Sequence, residues 1–263
     1  MADGSRAPAL ASALGLVRSE TTHKPTVFET INHGRKGFSI QSRIGLEEQR
    51  KKRLQGLKKT VVTGARLAVE EGTRGGFRGS WAMVTLTYRD DAKWQRSDMR
   101  KLCTHIREYA RRAAFKFRYV WVLELTQRGR PHYHLLVWLP VGRTLPKPDK
   151  RGWWPHGKTR IEWAKKPVGY IAKYASKGVD FEQAQLIPKG ARLCGTGGLS
   201  PESRTELRWW KSPTWVREVF SSVCDVRRIV GGFVNRETAE FIESPWRVVF
   251  LMGSLFLLRK DSA

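Results

Sequence analysis

Two apolar runs separated by one tight break constrain this chain most. "RYVWVLELT" (residues 118–126) and "PHYHLLVWL" (131–139) are rich in β-branched and aromatic residues, and "QRGR" between them supplies the glycine of a turn. The pattern predicts a β-hairpin, and its second strand holds two of only six histidines. Side chains alternate along a strand, so His132 and His134 face the same way, roughly 7 Å apart. Tyr133, Leu135, Val137 and Leu139 face the other way and offer an apolar surface to helices.

The flanking segments extend the hairpin into a domain. "WAMVTLTY" (81–88) reads as a strand, and "RSDMRKLCTHIREYARRAAF" as a helix with Ser97 at its N-cap and Leu102, Ile106 and Tyr109 on its apolar stripe. "TRIEWA" is a short strand, and "VGYIAKYASKG" a helix after Pro167, ended by Gly178. The order β-α-β-β-β-α predicts an α+β fold of the ferredoxin-like kind, a central antiparallel sheet flanked by helices. We divide the chain into a flexible basic segment with a helix (1–75), a central domain (76–182) and an α/β extension without legible chemistry (183–263). The helix of the first segment, with Leu54, Leu57, Val61 and Leu67 at helical spacing, is expected to be solvated or to act as a DNA-contacting arm. In the extension, "SPESRTELRWW" and "SPTWVREVF" read as helices with proline at the first helical position. Trp209 and Trp210 are expected in a helix core, and "VVFLMGSLFLL" (248–258) reads as a buried strand or helix too short to span a bilayer.

Charge narrows the partner. Lys and Arg total 49 against 24 Asp and Glu, a net charge of +25. Such an excess points to a polyanion, most often nucleic acid, because neutralising phosphates releases condensed counterions. Cys103, Cys194 and Cys224 are odd in number and scattered, which suits a reducing compartment and neither a disulfide framework nor a zinc spacing. "PALASALGLV" lacks the basic leader of a signal segment, so a soluble intracellular protein is expected, with no membrane partner.

A lone His-x-His more often marks two hydrogen-bonded or wet histidines than a metal half-site. The preceding strand changes that balance, because Glu124 is the single carboxylate in an apolar run. If Thr126 pairs with His132, Glu124 lies opposite His134 on the same face. An unpaired carboxylate would be costly there, and a cation would remove the cost. A carboxylate with two imidazoles and no thiolate favours Mg²⁺ or Mn²⁺ over structural zinc. On the helix after Pro167, Tyr170 and Tyr174 are one turn apart, with Lys166, Lys173 and Lys177 on or beside that face. Neighbouring ammonium groups favour phenolate, the attacking form. "GWWPHGK" is the candidate DNA-contact loop beside the hairpin, with Trp153, Trp154 and Lys158, and His156 is a loop residue rather than a fourth ligand.

Taken in order, "MVTLTY", "PHYHLLVWL" and "YIAKY" resemble the three motifs of HUH endonucleases, and more narrowly of rolling-circle replication initiators, over residues 81–178. The paired tyrosines resemble the initiators of single-stranded DNA phages. The resemblance implies metal ligation by Glu124, His132 and His134. It implies attack by Tyr170 and Tyr174 with help from Lys173, and a 5′-phosphotyrosine intermediate on single-stranded origin DNA. It further implies host helicase and polymerase as partners in a bacterial cytoplasm. No Walker-type phosphate loop occurs in the sequence, so an attached helicase is not expected. Two other readings remain open, an HUH-type transposase and a non-catalytic single-stranded nucleic-acid-binding protein.

Overall fold

The computed structural model describes residues 38–43, 46–74, 78–176, 186–251 and 254–260, with side chains between 55 and 249. Most of the segment expected to be flexible, together with Lys177 and Gly178, lies outside the described residues.

Five antiparallel strands form the central sheet: β2 (Gly79–Thr87), β3 (Tyr119–Leu125), β4 (Pro131–Pro140), β5 (Thr159–Trp163) and β6 (Cys194–Gly197). Their order is β5-β2-β4-β3-β6. Helix α2 (Asp98–Arg112) covers one face; α1 (Leu46–Thr73) and α3 (Pro167–Ser176) cover the other and pack on each other. The α+β fold with helix-flanked antiparallel sheet is as expected. Strand β4 lies in the middle of the sheet, and residues 133–139 are buried without interruption. A sheet covered on both sides erases the polar alternation of its central strand, which is why "YHLLVWL" reads as continuous apolar sequence.

Several expectations are corrected. The basic helix α1 is not solvated: Val61, Ala65 and Ala68 are fully buried in the main core. Its lysines and arginines ride on the outer side of a helix whose inner side is small and aliphatic. The sheet also draws its edge strand β6 from beyond residue 182, pairing Val122 with Cys194. The glycines of "CGTG" gave no strand signal, since glycine is depleted in strands. Ser97 makes no side-chain cap. Asp98 takes that place, its Oδ2 accepting from Gln95 N at 2.9 Å and from the Tyr88 hydroxyl at 2.8 Å.

Beyond β6, α4 (Pro201–Lys211) is capped by Ser200, whose Oγ accepts from Ser203 N at 3.1 Å, with proline at the start of the helix. In α5 (Thr214–Phe220) Pro213 sits one position earlier than expected, at the N-cap. Trp209, Val216 and Phe220 form a small second core with the sheet β7 (Val226–Ile229), β8 (Gly232–Asn235) and β9 (Phe241–Glu243). Strand β1 (Phe38–Arg43) pairs with β11 (Ser254–Lys260), which pairs with β10 (Trp246–Leu251). The run 248–258 is therefore a hairpin, and Val248, 60% exposed, is not buried as expected.

Candidate active site

The hairpin register decides which side chains meet. Glu124 pairs with His132 and Val122 with His134, so the pairing is shifted by two residues from the Thr126–His132 register. The reason lies in the turn. Thr126 O accepts from Gly129 N at 2.8 Å and Thr126 N donates to Arg130 O at 2.9 Å, which keeps Thr126 out of the ladder. Gly129 carries the positive φ of +71° that closes this loop. A shift of two leaves parity intact, so Glu124 stays on the face of both histidines.

On that face His134 is buried and its Nε2 lies 2.9 Å from Glu124 Oε2. The His132 and His134 ring centroids are 4.8 Å apart. Strand β2 lies on the other side of β4 and sets Thr85 opposite His134 and Thr87 opposite His132. Thr85 Oγ1 is 3.4 Å from His134 Nδ1, so both nitrogens of that ring have a polar neighbour.

Helix α3 closes the site from above. Ile171 and Ala175 are buried against the sheet, which fixes the rotation of the helix and turns Tyr174 onto the histidines. The Tyr174 ring stacks on His134 with centroids 3.4 Å apart and planes 14° from parallel. Tyr170, one turn earlier, meets Tyr174 edge-on at 5.8 Å and donates its hydroxyl to Glu162 Oε2 at 3.3 Å. Lys166 and Lys173 are exposed. The sequence reading missed Thr85, Thr87 and Glu162. Period-two parity on "VTLT" marks the threonines as a pair sharing one face, whereas the facing of Glu162 depends on the register of β5 against β2 (Met83 with Glu162).

The phenol of Tyr174 is not made acidic by lysines, contrary to expectation. Burial, then the neighbouring Tyr170 and the carboxylates Glu124 and Glu162, push it up to about 12. A phenol beside two carboxylates and under a helix meets both desolvation and like-charge repulsion when it ionises.

The donor chemistry of Glu124, His132 and His134 fits a divalent cation, with one carboxylate and two imidazoles on one rigid face. Among the described residues, no three such side chains are grouped closely enough to hold an ion as they stand. The Glu124–His134 hydrogen bond is the contact that ion binding would exchange for ligation.

The tryptophan loop lies elsewhere. Trp154 is 1% exposed, donates Nε1–H to Thr87 O at 3.0 Å and packs edge-on against Tyr88 and Tyr133, on the α2 face. It is core and presents no face to a base. Trp153 is half-buried and stacks parallel to His105 on α2, so the loop packs behind the sheet rather than beside the histidines. His156 lies within 3.4 Å of Asp98 and is no ligand of the site. Lys158 is exposed next to the site, since its carbonyl accepts from Thr87 N and Oγ1. That contact requires Gly157, because a Cβ there would stand 2.2 Å from Thr87 O.

Among the described residues, no helix is long and apolar enough to cross a membrane. No curated protein and no solved structure matches the chain. A protein-family model does match, over residues 81–179, and its span runs from the start of β2 through α3, taking in every residue of the site just described. The family is that of the replication-associated protein ORF2, and the match ties the sheet, the histidine strand and the tyrosine helix to DNA replication.

Proposed function

We propose that the protein initiates rolling-circle replication by nicking and joining single-stranded origin DNA through a tyrosine-linked intermediate. The observation that carries this reading is the Tyr174 ring stacked on His134, on the face shared by Glu124 and His132. A phenol that close to two imidazoles and a carboxylate has little structural purpose. In the core a phenylalanine would pack as well without a hydroxyl to satisfy.

In this reading Glu124, His132 and His134 hold Mg²⁺ or Mn²⁺. When bound, such an ion polarises the scissile phosphate and offsets the charge of the transition state. The tyrosine oxygen of Tyr174 forms a bond to phosphorus as the bond from phosphorus to the 3′-oxygen breaks. The phenolic proton leaves, the 3′-oxygen gains one, and the products are a 5′-phosphotyrosine and a free 3′-OH. Attack of a 3′-OH on the phosphotyrosine reverses the step and joins strands. Tyr170, one helical turn away, serves as the second nucleophile, with Glu162 as the acceptor of its proton. Lys166, Lys173 and Lys158 hold backbone phosphates at the rim as exposed cations.

The test is a denaturing gel of the protein incubated with labelled single-stranded DNA from its own replicon, with and without Mn²⁺. The expected result is a Mn²⁺-dependent, SDS-resistant, protease-sensitive shift. DNA retarded only on native gels, with no covalent band under any cation, favours a non-catalytic binding module.

A further inference from the structure

The strand that carries the two histidines turns its other side to a second cavity. Tyr133, between them in sequence, points away from the tyrosine helix and lines a cleft of about 510 Å³ beside the first turns of α2. That volume falls in the range of ~300–1,000 Å³ typical of small-molecule sites. Arg96, Arg100, Arg107 and Arg192 stand around it, all exposed. Among the described residues, none of the four is paired with a carboxylate. Four like charges converging on one hollow repel each other, and an anion relieves that repulsion.

The walls are aromatic. Trp94 is half-buried, and its orientation is fixed by a 2.8 Å hydrogen bond from Nε1 to the Tyr133 hydroxyl. Trp121 stands edge-on to the same tyrosine at 5.7 Å. Flat rings held rigidly beside unpaired guanidinium groups match a ligand that is itself a flat ring joined to a phosphate. An acidic peptide would engage the arginines and leave the rings unused.

We propose that this cleft binds a nucleoside phosphate, with the base against Trp94 or Trp121 and the phosphate on the arginines. It lies on the face of the sheet opposite the tyrosines, so a bound strand would be gripped at two separate places on one domain. The source of the nucleotide is either a single strand or a free monomer, and the chemistry of the cleft is the same for both.

The test uses the full chain without divalent cation, so that no strand cleavage intervenes and the outcome is independent of the tyrosine assignment. The protein is irradiated with an oligodeoxythymidylate containing 5-iododeoxyuridine, or with 5-iododeoxyuridine 5′-monophosphate, and adducts are mapped by mass spectrometry. Adducts at Trp94 or Trp121 are expected. The oligonucleotide alone giving them assigns the cleft to a strand; the monomer giving them at equal concentration assigns it to a free nucleotide. Arg100→Ala/Arg107→Ala alters exposed side chains and should leave the thermal midpoint unchanged while weakening adduct formation several-fold. If the ligand is a strand, the slope of log affinity on log salt should fall by about 1.4, for two lost phosphate contacts. No adduct at either tryptophan from either probe overturns the proposal. So does binding that is lost in the arginine variant without any tryptophan adduct, which is the acidic-peptide outcome.

Discussion

Tyr174 and Tyr170 are equivalent in sequence spacing and unequal in place. Tyr174 lies on His134, whereas Tyr170 stands a ring further out and gives its hydroxyl to Glu162. The first cleavage therefore falls to Tyr174. Tyr174→Phe should reduce the initial covalent band at least tenfold, while Tyr170→Phe should leave it within a few-fold and fail only where a second cleavage is required. Comparing the two variants in a single-turnover gel assay checks this. At this scale the sequence was legible where one rule sufficed: parity alone put Glu124, His132 and His134 on one face. It was illegible where the answer depended on neighbours. Trp154 looks like an exposed loop tryptophan until the α2 face closes over it, and the lysines suggested an acidic phenol until burial and two carboxylates were counted.

Helix α3 has ten residues and makes no long apolar stripe, so its position rests on few contacts. Ile171, fully buried, is the main one. Ile171→Ala should destabilise the protein by about 2–5 kcal/mol, the usual loss for emptying a core site of that size. Urea unfolding measures that loss, and the same variant should lose nicking out of proportion to its folded fraction, because the anchor also sets the angle of Tyr174. The elements of the central domain were readable because helix and strand periods differ sharply there. Hairpin register was not, because it depends on the turn closed between Thr126 and Gly129 rather than on the strands. Strand β6 was missed because its four residues are half glycine and its strand character comes only from pairing with β3.

Across the whole molecule, Glu71 ties three segments that are far apart in sequence. Its carboxylate, 7% exposed, accepts from Ser200 N at 2.7 Å ahead of α4 and lies 3.4 Å from Arg118 Nε before β3. Burial raises its pKa, but hydrogen bonds from Ser203, Ser200 and Arg118 outweigh that and hold the carboxyl below its ordinary 4.5. A carboxyl depressed on folding adds stability above its unfolded pKa and loses it as pH falls through the folded value. The wild type should therefore lose stability as pH drops below about 4.5, and Glu71→Gln, less stable at neutral pH, should show a shallower loss over that range. Thermal midpoints measured from pH 7 to pH 3 for both proteins check this. The net charge of +25 has a similar reach. It attracts DNA to every side of the molecule, and only the side chains of the sheet decide where chemistry can follow.

The measurement that bears most directly on the central claim is peptide mapping of the covalent product. After reaction with origin single-stranded DNA and Mn²⁺, nuclease trimming and proteolysis, the predicted result is a phosphodeoxynucleotide on Tyr174 in the α3 peptide. A covalent adduct found on any peptide outside α3, with Tyr174 and Tyr170 unmodified, would contradict it.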